Sequence, residues 1–347
     1  TYDVDGNVNE VSGLRRWAQR WAWGVGAIVA VVFVAGASFW RDFFNADSSW
    51  PFVILGVGIP IYFAQGVDRG ILQGRLRFGR LALSYQAEMW ARLVVGIVAV
   101  AIGWSVNGAV GALTLSFVAT WLVARTVASD LPDEATFDQS SRHAVAIYAI
   151  PVAMALVGQI LINNSDVLIV KRFFEAEAAG HYAALALIGR IVFFATWSIV
   201  TVLLPTVAQR NATGQSHWHL LWISAGIVLA VSVGVVGTCA IWSTQIVTIL
   251  FGAAYTSIAP LLWLYAIATS LFALANVFIV YRLSLGQSLD SIIAVAAGVA
   301  QVVLLALFHS SLTQIVFLQI GLMSILVLVL FVVELALHRR ETTAVAE

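Results

Sequence analysis

The chain has 347 residues, no formal net charge, a mean hydropathy of +0.93 and only 10% charged residues. A water-facing globular surface needs far more charge than this, so a soluble globular protein is excluded and lipid is the expected solvent. The single cysteine, Cys239, excludes an intrachain disulfide and a cysteine-cluster metal site.

Apolar segments of about 20 residues recur along the chain, and each can cross a hydrocarbon layer roughly 30 Å thick. Backbone amides in lipid must be bonded within their own segment, so helices are predicted rather than barrel strands. The sequence therefore predicts an all-α, polytopic membrane protein with about ten transmembrane helices. In chain order the segments are 21–40, 50–66, 83–104, 107–125, 144–170, 178–206, 218–242, 256–281, 289–309 and 312–336.

Positive charges are distributed unevenly between the predicted loops. Loops on one side hold thirteen of the 18 Lys and Arg residues and loops on the other side hold three, while Arg92 and Arg190 lie inside segments. The positive-inside rule therefore predicts that both termini are cytoplasmic. An even number of helices also requires the termini to share a side.

The third segment, 83–104, contains an acid and a base four residues apart. Glu88 precedes Arg92, which is the order that forms a local ion pair on a helix. A structural pair and a contribution to substrate binding both stay open as interpretations.

The longest polar segment, "RTVASDLPDEATFDQSSR" at 125–142, follows the fourth predicted helix. It predicts an N-terminal lobe of four helices at 1–142, expected to be incomplete, and a C-terminal lobe of six helices at 143–347.

A weak internal repeat relates the first four segments to the last four. Pro51 and Pro260 are offset by 209 residues, and Gly74 and Gly286 by 212. The repeat leaves the fifth and sixth segments without counterparts, so two more helices are expected upstream of Thr1. The natural protein would then have twelve helices in two six-helix lobes, related by an axis along the membrane normal. An initiator methionine directly before Thr1 would contradict this expectation.

The fifth segment, 144–170, contains a polar stripe. Gln159, Asn163 and Asp166 stand four and three residues apart, which places them on one face of a helix. Such a stripe is unfavourable against lipid, so it is predicted to line a cavity, with Asp166 as a candidate cation or proton site. The alternative is that these side chains only join the helix to a neighbour or, for Asp166, are hydrated at the interface.

The sixth segment, 178–206, contains Arg190 near its middle. Tyr182 and Trp197 fall on the same helical face as this arginine. A guanidinium binds phosphate oxygens in a fork and aromatic faces pack on sugar rings, so this face is predicted to bind an anionic, sugar-bearing ligand. A structural pair of Arg190 with Asp166 or Glu88 stays open.

Several motifs of soluble chemistry are absent from the sequence. It contains no GxxxxGK[ST] nucleotide loop, no HExxH and no GxSxG. A primary pump within this chain is therefore excluded, and no catalytic set is visible. We expect no enzyme activity, no cofactor and no nucleic-acid partner.

Two stretches resemble the polysaccharide-biosynthesis flippases of the multidrug/oligosaccharidyl-lipid/polysaccharide (MOP) exporter superfamily. They are "NNSDVLIVKRFFEAEAAGHYAALALIGRIVFF" at 163–194 and "RGILQGRLRFGRLALSYQAEMWARLVVG" at 69–96. The resemblance implies a two-lobe, MATE-like bundle in a bacterial or archaeal cytoplasmic membrane. It also implies that the protein flips a polyprenyl-diphosphate-linked oligosaccharide by alternating access, for cell-surface polysaccharide assembly, and it assigns Arg190 and Arg92 to a cationic cavity.

The expected partners are this lipid-linked oligosaccharide and the bilayer. With no ATP site, Na+ or H+ coupling, the membrane potential or removal of the product must drive transport. The alternatives are a cation-coupled drug antiporter of the same superfamily, a membrane glycosyltransferase or polymerase, and a non-transporting scaffold that binds the same lipid.

Overall fold

The computed structural model describes residues 8–75, 77–126, 131 and 139–346. These residues form α-helices joined by 3-10 turns and loops, with no strand among them, so the predicted all-α class is confirmed. The polar segment at 125–142 lies largely outside the described residues. The chain divides into two compact units, Thr1–Val145 and Ala146–Glu347, called unit 1 and unit 2 below.

Unit 1 is built by close packing of small residues. Helix α3 packs against α1 and α5, and α4 packs against α5. A Cβ on Gly26 of α1 would lie 2.7 Å from the Cα of Pro60, so only glycine allows α1 and α3 to approach this closely. Helices in lipid associate through such contacts because lipid removes the hydrophobic drive. The helices are α1 (Val8–Ala35), α2 (Ala37–Phe43), α3 (Trp50–Gly74), α4 (Phe78–Ala101) and α5 (Ser105–Ala124).

Unit 2 is arranged around α11, which packs against α7, α8, α9, α12 and α13. Almost every residue from Phe272 to Leu283 is buried, because α11 is apolar on all its faces. The first helix of unit 2, α6, begins at Gln139, just before the boundary at Ala146. The helices are α6 (Gln139–Phe173), α7 (Ala176–Gly189), α8 (Ile191–Ala212), α9 (Trp218–Ile241), α10 (Ser243–Phe251), α11 (Ala259–Ser284), α12 (Leu289–Leu307) and α13 (Leu312–Ala346), with a 3-10 turn at Ala253–Ile258.

The structure differs from the predicted segments in two places that matter for the site. Nine of the described helical segments are long and apolar enough to cross a membrane, one fewer than the ten predicted. The predicted segment that does not meet this criterion is the third, 83–104. It lies largely within the 24-residue α4, whose apolar content is lowered by Glu88 and Arg92. The predicted helix 178–206 is interrupted, because α7 ends at Gly189 and α8 begins at Ile191.

Candidate functional site

Asp166 on α6 is the centre of a polar cluster inside unit 2. Its side chain is fully buried, and the Tyr265 hydroxyl donates to its Oδ2 at 2.7 Å. The Tyr182 hydroxyl lies 3.1 Å from the same oxygen and 3.1 Å from Oε1 of Gln319. These groups replace the water that a buried carboxylate loses, and they join α6, α7, α11 and α13.

The interruption between α7 and α8 shapes this cluster. A Cβ on residue 189 would lie 2.1 Å from Cδ1 of Tyr265, so only glycine leaves room for the Tyr265 ring beside the backbone. The carbonyl of Gly189 accepts a hydrogen bond from Oγ1 of Thr269 at 2.8 Å. Arg190 follows directly, at the junction of the two helices. The close approach of α11 therefore fixes the position of Arg190 at the junction between α7 and α8.

Arg190 is a loosely paired cation with one-fifth of its side chain exposed. Its Nη2 lies 3.5 Å from Oδ1 of Asp166, and its Nη1 lies 3.5 Å from Oδ1 of Asn164. A charge-assisted hydrogen bond is shorter, at about 2.7 to 2.9 Å. Within the described part of the chain, Nε and Nη2 make no hydrogen bond. Of the two structural partners left open by the sequence, the structure places Asp166 beside this arginine.

The other members of the predicted stripe on α6 have different surroundings. Gln159 is buried, and its Nε2 donates to Oδ1 of Asn276 on α11. Asn163 is half-buried and lines a cavity of about 20 Å³ together with Tyr265 and Gln301. This volume is enough for about one water molecule. Within unit 2, Gln159 and Asp166 therefore join α6 to its neighbours, while Asn163 borders the small cavity.

The two aromatic residues predicted to lie near Arg190 have different environments. Tyr182 is fully buried in the Asp166 cluster, whereas Trp197 on α8 is exposed. The Trp197 ring lies 5.5 Å from the ring of Phe193, which is itself buried and stacks on Phe272 at 5.3 Å. Only Trp197 of the two predicted aromatic contacts presents its ring outside the core of unit 2.

Glu88 and Arg92 lie in unit 1 and form the predicted local pair on α4. The distance between Nη2 of Arg92 and Oε1 of Glu88 is 2.5 Å. Arg69 also binds this carboxylate, with 2.8 Å between its Nη1 and Oε2 of Glu88. The sequence assigned Arg69 to a loop, but α3 extends to Gly74 and contains it. Sequence analysis therefore missed Arg69, and its spacing from Glu88 along the chain gives no signal of the contact.

The described ranges contain no group of three or more His, Cys, Asp or Glu side chains that could hold a metal ion. The buried polar groups of unit 2 are mainly hydroxyls, amides and single carboxylates. Such a set suits hydrogen-bonded protons, water or a weakly held monovalent ion rather than a transition metal.

The sequence matches a family described as "Polysaccharide biosynthesis protein" over residues 20–260. Two relatives from Mycobacterium tuberculosis, the uncharacterized proteins Rv1510 of strain H37Rv and MT1558/MT1560 of strain CDC 1551, are each 26% identical over 279 residues. The match covers 75% of this chain, which spans 61% of the length of these relatives.

Three solved structures have a similar fold. An inward-facing and an outward-facing multidrug resistance MATE family transporter of the MOP superfamily give TM-scores of 0.73 and 0.70. The alignments cover 99% and 98% of this chain and 83% and 84% of those chains, each at 15% identity. A MOP superfamily transporter from Pyrococcus furiosus, described by the reverse polarity of its binding pocket, gives 0.69 at 15% identity, with 98% and 84% covered. The two-lobe, MATE-like fold predicted from the sequence is confirmed.

Proposed function

The chain belongs to the polysaccharide biosynthesis protein family, and on this premise we propose that it moves a lipid-linked oligosaccharide across a membrane by alternating access. The chain is a multi-pass membrane protein with the fold of MOP superfamily transporters. The proposed cargo is an oligosaccharide on polyprenyl diphosphate, used for cell-surface polysaccharide. The proposed location is a bacterial or archaeal cytoplasmic membrane, with both termini in the cytoplasm, as the distribution of Lys and Arg favours.

The observation that supports this cargo is that Arg190 is loosely paired and partly exposed. An arginine inside a membrane-spanning segment costs roughly 2.5 to 3.5 kcal/mol on insertion scales, so it needs a compensating role. Asp166 compensates it only in part, because 3.5 Å separates the nearest charged atoms. Nε and Nη2 of Arg190 are buried beside Asp166, so the proposed contact uses the exposed fifth of the side chain, where a guanidinium can donate to phosphate oxygens. Trp197, about two helical turns further along, offers a face for a sugar ring.

Asp166 is the proposed site for a coupling ion, either Na+ or H+. It is a buried carboxylate with hydroxyl partners, next to a cavity of about 20 Å³ that Tyr265, Asn163 and Gln301 help to line. Cargo phosphate at Arg190 would compete with Asp166 for the guanidinium. Loss of that partner leaves the carboxylate of Asp166 free to attract a cation, which links cargo and ion occupancy.

The predicted boundary between lobes, at 142/143, is part of the same proposal. In an alternating-access transporter the lobes move as bodies around a central site. We propose that 1–142 and 143–347 are these bodies, so that Arg190 and Asp166 belong to one lobe and Glu88 and Arg92 to the other.

Flipping in reconstituted vesicles tests the proposal. The purified protein is placed in liposomes with a polyprenyl-diphosphate-linked sugar, and a membrane-impermeant oxidant measures how much sugar faces outward. Arg190→Ala is expected to lower the initial rate by about tenfold or more, since a charge-assisted contact is lost. Arg41→Ala, an exposed arginine paired with Asp42, is the matched control and should match wild type.

Each other outcome identifies an alternative. A wild-type rate in Arg190→Ala refutes the assigned role. Export of a cationic dye with no flipping of the lipid would identify a drug antiporter. A lengthened or newly joined glycan in the same vesicles would identify a glycosyltransferase or polymerase. Binding of the lipid without transport in wild type would identify a scaffold.

A further inference from the structure

Four carboxyl side chains are buried among the residues that the structure describes. Three of them accept hydrogen bonds from arginine or tyrosine side chains, namely Asp68, Asp166 and Glu334. The fourth, Asp290, is 1% exposed, and within the same part of the chain neither of its oxygens has a hydrogen-bond partner. A buried carboxylate needs such donors in place of the water it has lost, so Asp290 requires a different explanation from the other three.

Asp290 lies in the first turn of α12, and its own helix does not balance a negative charge there. The next residue, Ser291, is also 1% exposed, and among the described residues its Oγ has no hydrogen-bond partner either. Helix α6 packs against the following turn of α12 through Gly158 and Ala294, which carry no charge. The helix dipole favours a carboxylate in a first turn, but this effect is smaller than the cost of removing an unpaired carboxylate from water.

Two charged side chains on neighbouring helices act on Asp290. Arg282 on α11 attracts a carboxylate at this position, and Glu334 on α13 repels one. The arginine already has an acidic partner, because its Nε donates to Glu334, and its Nη1 donates to Oε1 of Gln287 at 2.8 Å. Since Arg282 forms its ion pair with Glu334, its attraction for Asp290 acts without a hydrogen bond.

We propose that Asp290 is a proton-binding site and that its carboxyl group holds a proton in this structure. The neutral form of a carboxyl group is far less costly to bury without a donor than the ionised form. While the proton is bound, Arg282 pairs with Glu334 and not with Asp290. When the proton leaves, the ionised Asp290 competes with Glu334 for the same guanidinium. Proton binding therefore decides how Arg282 on α11 is divided between an acid on α12 and an acid on α13.

This proton site is distinct from the proposed ion site at Asp166. Gln301, on the same helix as Asp290, donates to Oγ of Ser165, the residue before Asp166, at 3.0 Å. Asp290 and Gln301 are 11 residues apart, which is about 16 Å along α12. Proton binding at Asp290 needs no cargo, so it goes beyond the proposed function and does not depend on it.

Infrared spectroscopy of the purified chain tests the site, because a protonated carboxyl group has a carbonyl band that a carboxylate lacks. The protein is prepared in a detergent without carbonyl groups, with and without aspartate labelled with heavy carbon at the side-chain carboxyl group. The label should shift this band in wild type. In Asp290→Asn the label-sensitive band should be lost, and in Asp290→Glu the band should remain but no longer respond to the label. Asp42→Asn, at a position 67% exposed, is the matched control and should keep the label-sensitive band.

A further variant tests the competition for Arg282. Glu334→Gln removes the carboxylate that binds this arginine, so Asp290 should lose its proton and replace it. The label-sensitive band should then disappear although Asp290 is still present, a result that a merely structural aspartate would not give. Persistence of the band in a folded Glu334→Gln protein would refute the competition. A wild-type spectrum without a label-sensitive band, or a band that survives in Asp290→Asn, would overturn the proton site itself, since Asp290 would then be ionised in the folded protein.

Discussion

Two arginine–carboxylate clusters, one in each unit, use the same chemistry in opposite surroundings. In unit 2, Arg282 on α11 binds Glu334 on α13, and both side chains are 2% exposed. Nη1 of Arg282 also donates to Oε1 of Gln287 at 2.8 Å. In unit 1, Arg69, Glu88 and Arg92 line a pocket of about 740 Å³, and Arg92 is 48% exposed. The first cluster is sealed and the second is open.

The difference shows that enclosure, not residue type, decides what an ion pair contributes. Sealed charges have lost their water, so each depends on its partner, and breaking the pair is costly. Open charges keep their solvent, so their pairing contributes little to stability and leaves them able to bind a third group. The sealed cluster should therefore respond to substitution through stability, and the open cluster through binding.

The largest effect is expected in the sealed cluster. Glu334→Gln removes the carboxylate that binds Arg282 most closely, while buried Asp290 stays nearby, and should lower the free energy of unfolding by up to about 3 to 5 kcal/mol. Thermal unfolding in detergent measures the change. Glu175→Gln, an exposed glutamate of the same unit, is the matched control and should shift stability by less than about 0.5 kcal/mol. Equal melting of the two variants would mean that the pair at Arg282 is not sealed in the folded protein.

The Asp166 cluster should show the next largest effect. Tyr265→Phe removes the hydroxyl that donates to Asp166 at 2.7 Å, a hydrogen bond to a charged group worth about 1.5 to 3 kcal/mol. Tyr255→Phe removes the hydroxyl of a half-buried tyrosine whose ring centre lies 5.6 Å from that of Phe251, and it should be nearly neutral. The comparison is made by denaturant unfolding of both variants. A neutral Tyr265→Phe would indicate that Asp166 finds another donor, such as the nearby Arg190.

A smaller effect on stability is expected in the open cluster. Glu88→Gln should cost about 1 kcal/mol or less, because Arg92 is 48% exposed and Arg69 keeps its two hydrogen bonds to Ser84. A destabilisation as large as that of Glu334→Gln would place the unit 1 cluster in the sealed class and argue against an accessible pocket.

The prediction with the smallest expected effect on stability tests whether position 92 is accessible to a reagent in water. In a Cys239→Ser background, Arg92→Cys should react quickly with a water-soluble methanethiosulfonate reagent, because the side chain at this position is 48% exposed. Ser291→Cys, at a position 1% exposed beside Asp290 on α12, should react at least about tenfold more slowly. Mass spectrometry gives both rates. Equal protection at the two positions would mean that lipid or protein covers Arg92.

The helices could be predicted from the sequence more reliably than the site. Continuous apolar runs locate membrane helices, and nine of the ten predicted segments meet that criterion in the described residues. Segment 83–104 does not, because Glu88 and Arg92 reduce its apolar content, although it is helical. The interruption at Arg190 was not predicted, since no proline marks it. It coincides with the Tyr265 ring lying against Gly189, a contact between residues far apart in the chain.

The polar residues of the site were visible in the sequence, but their partners were not. Gln159 and Asp166 stand out on an apolar helix, and the face they share follows from helical geometry. Nothing in their spacing identifies Asn276 or Tyr265, which lie about 100 or more residues away and meet them only after α11 packs against α6. Whether such a stripe lines a cavity or joins two helices depends on that packing.

By itself, the sequence determined the solvent and the secondary structure, because a backbone in lipid must satisfy its own hydrogen bonds and only long apolar helices do so here. It did not distinguish Arg69 from Arg282, which both follow apolar segments and were both assigned to cytoplasmic loops. Only the tertiary structure decided which of the two arginines lies in a fully buried cluster. Packing of α13 beside α11 encloses Arg282 with Glu334, whereas the pocket beside α3 and α4 leaves Arg92, which shares Glu88 with Arg69, 48% exposed. Burial is a property of neighbours distant in the chain, and it decides whether a charge stabilises the fold or remains able to bind.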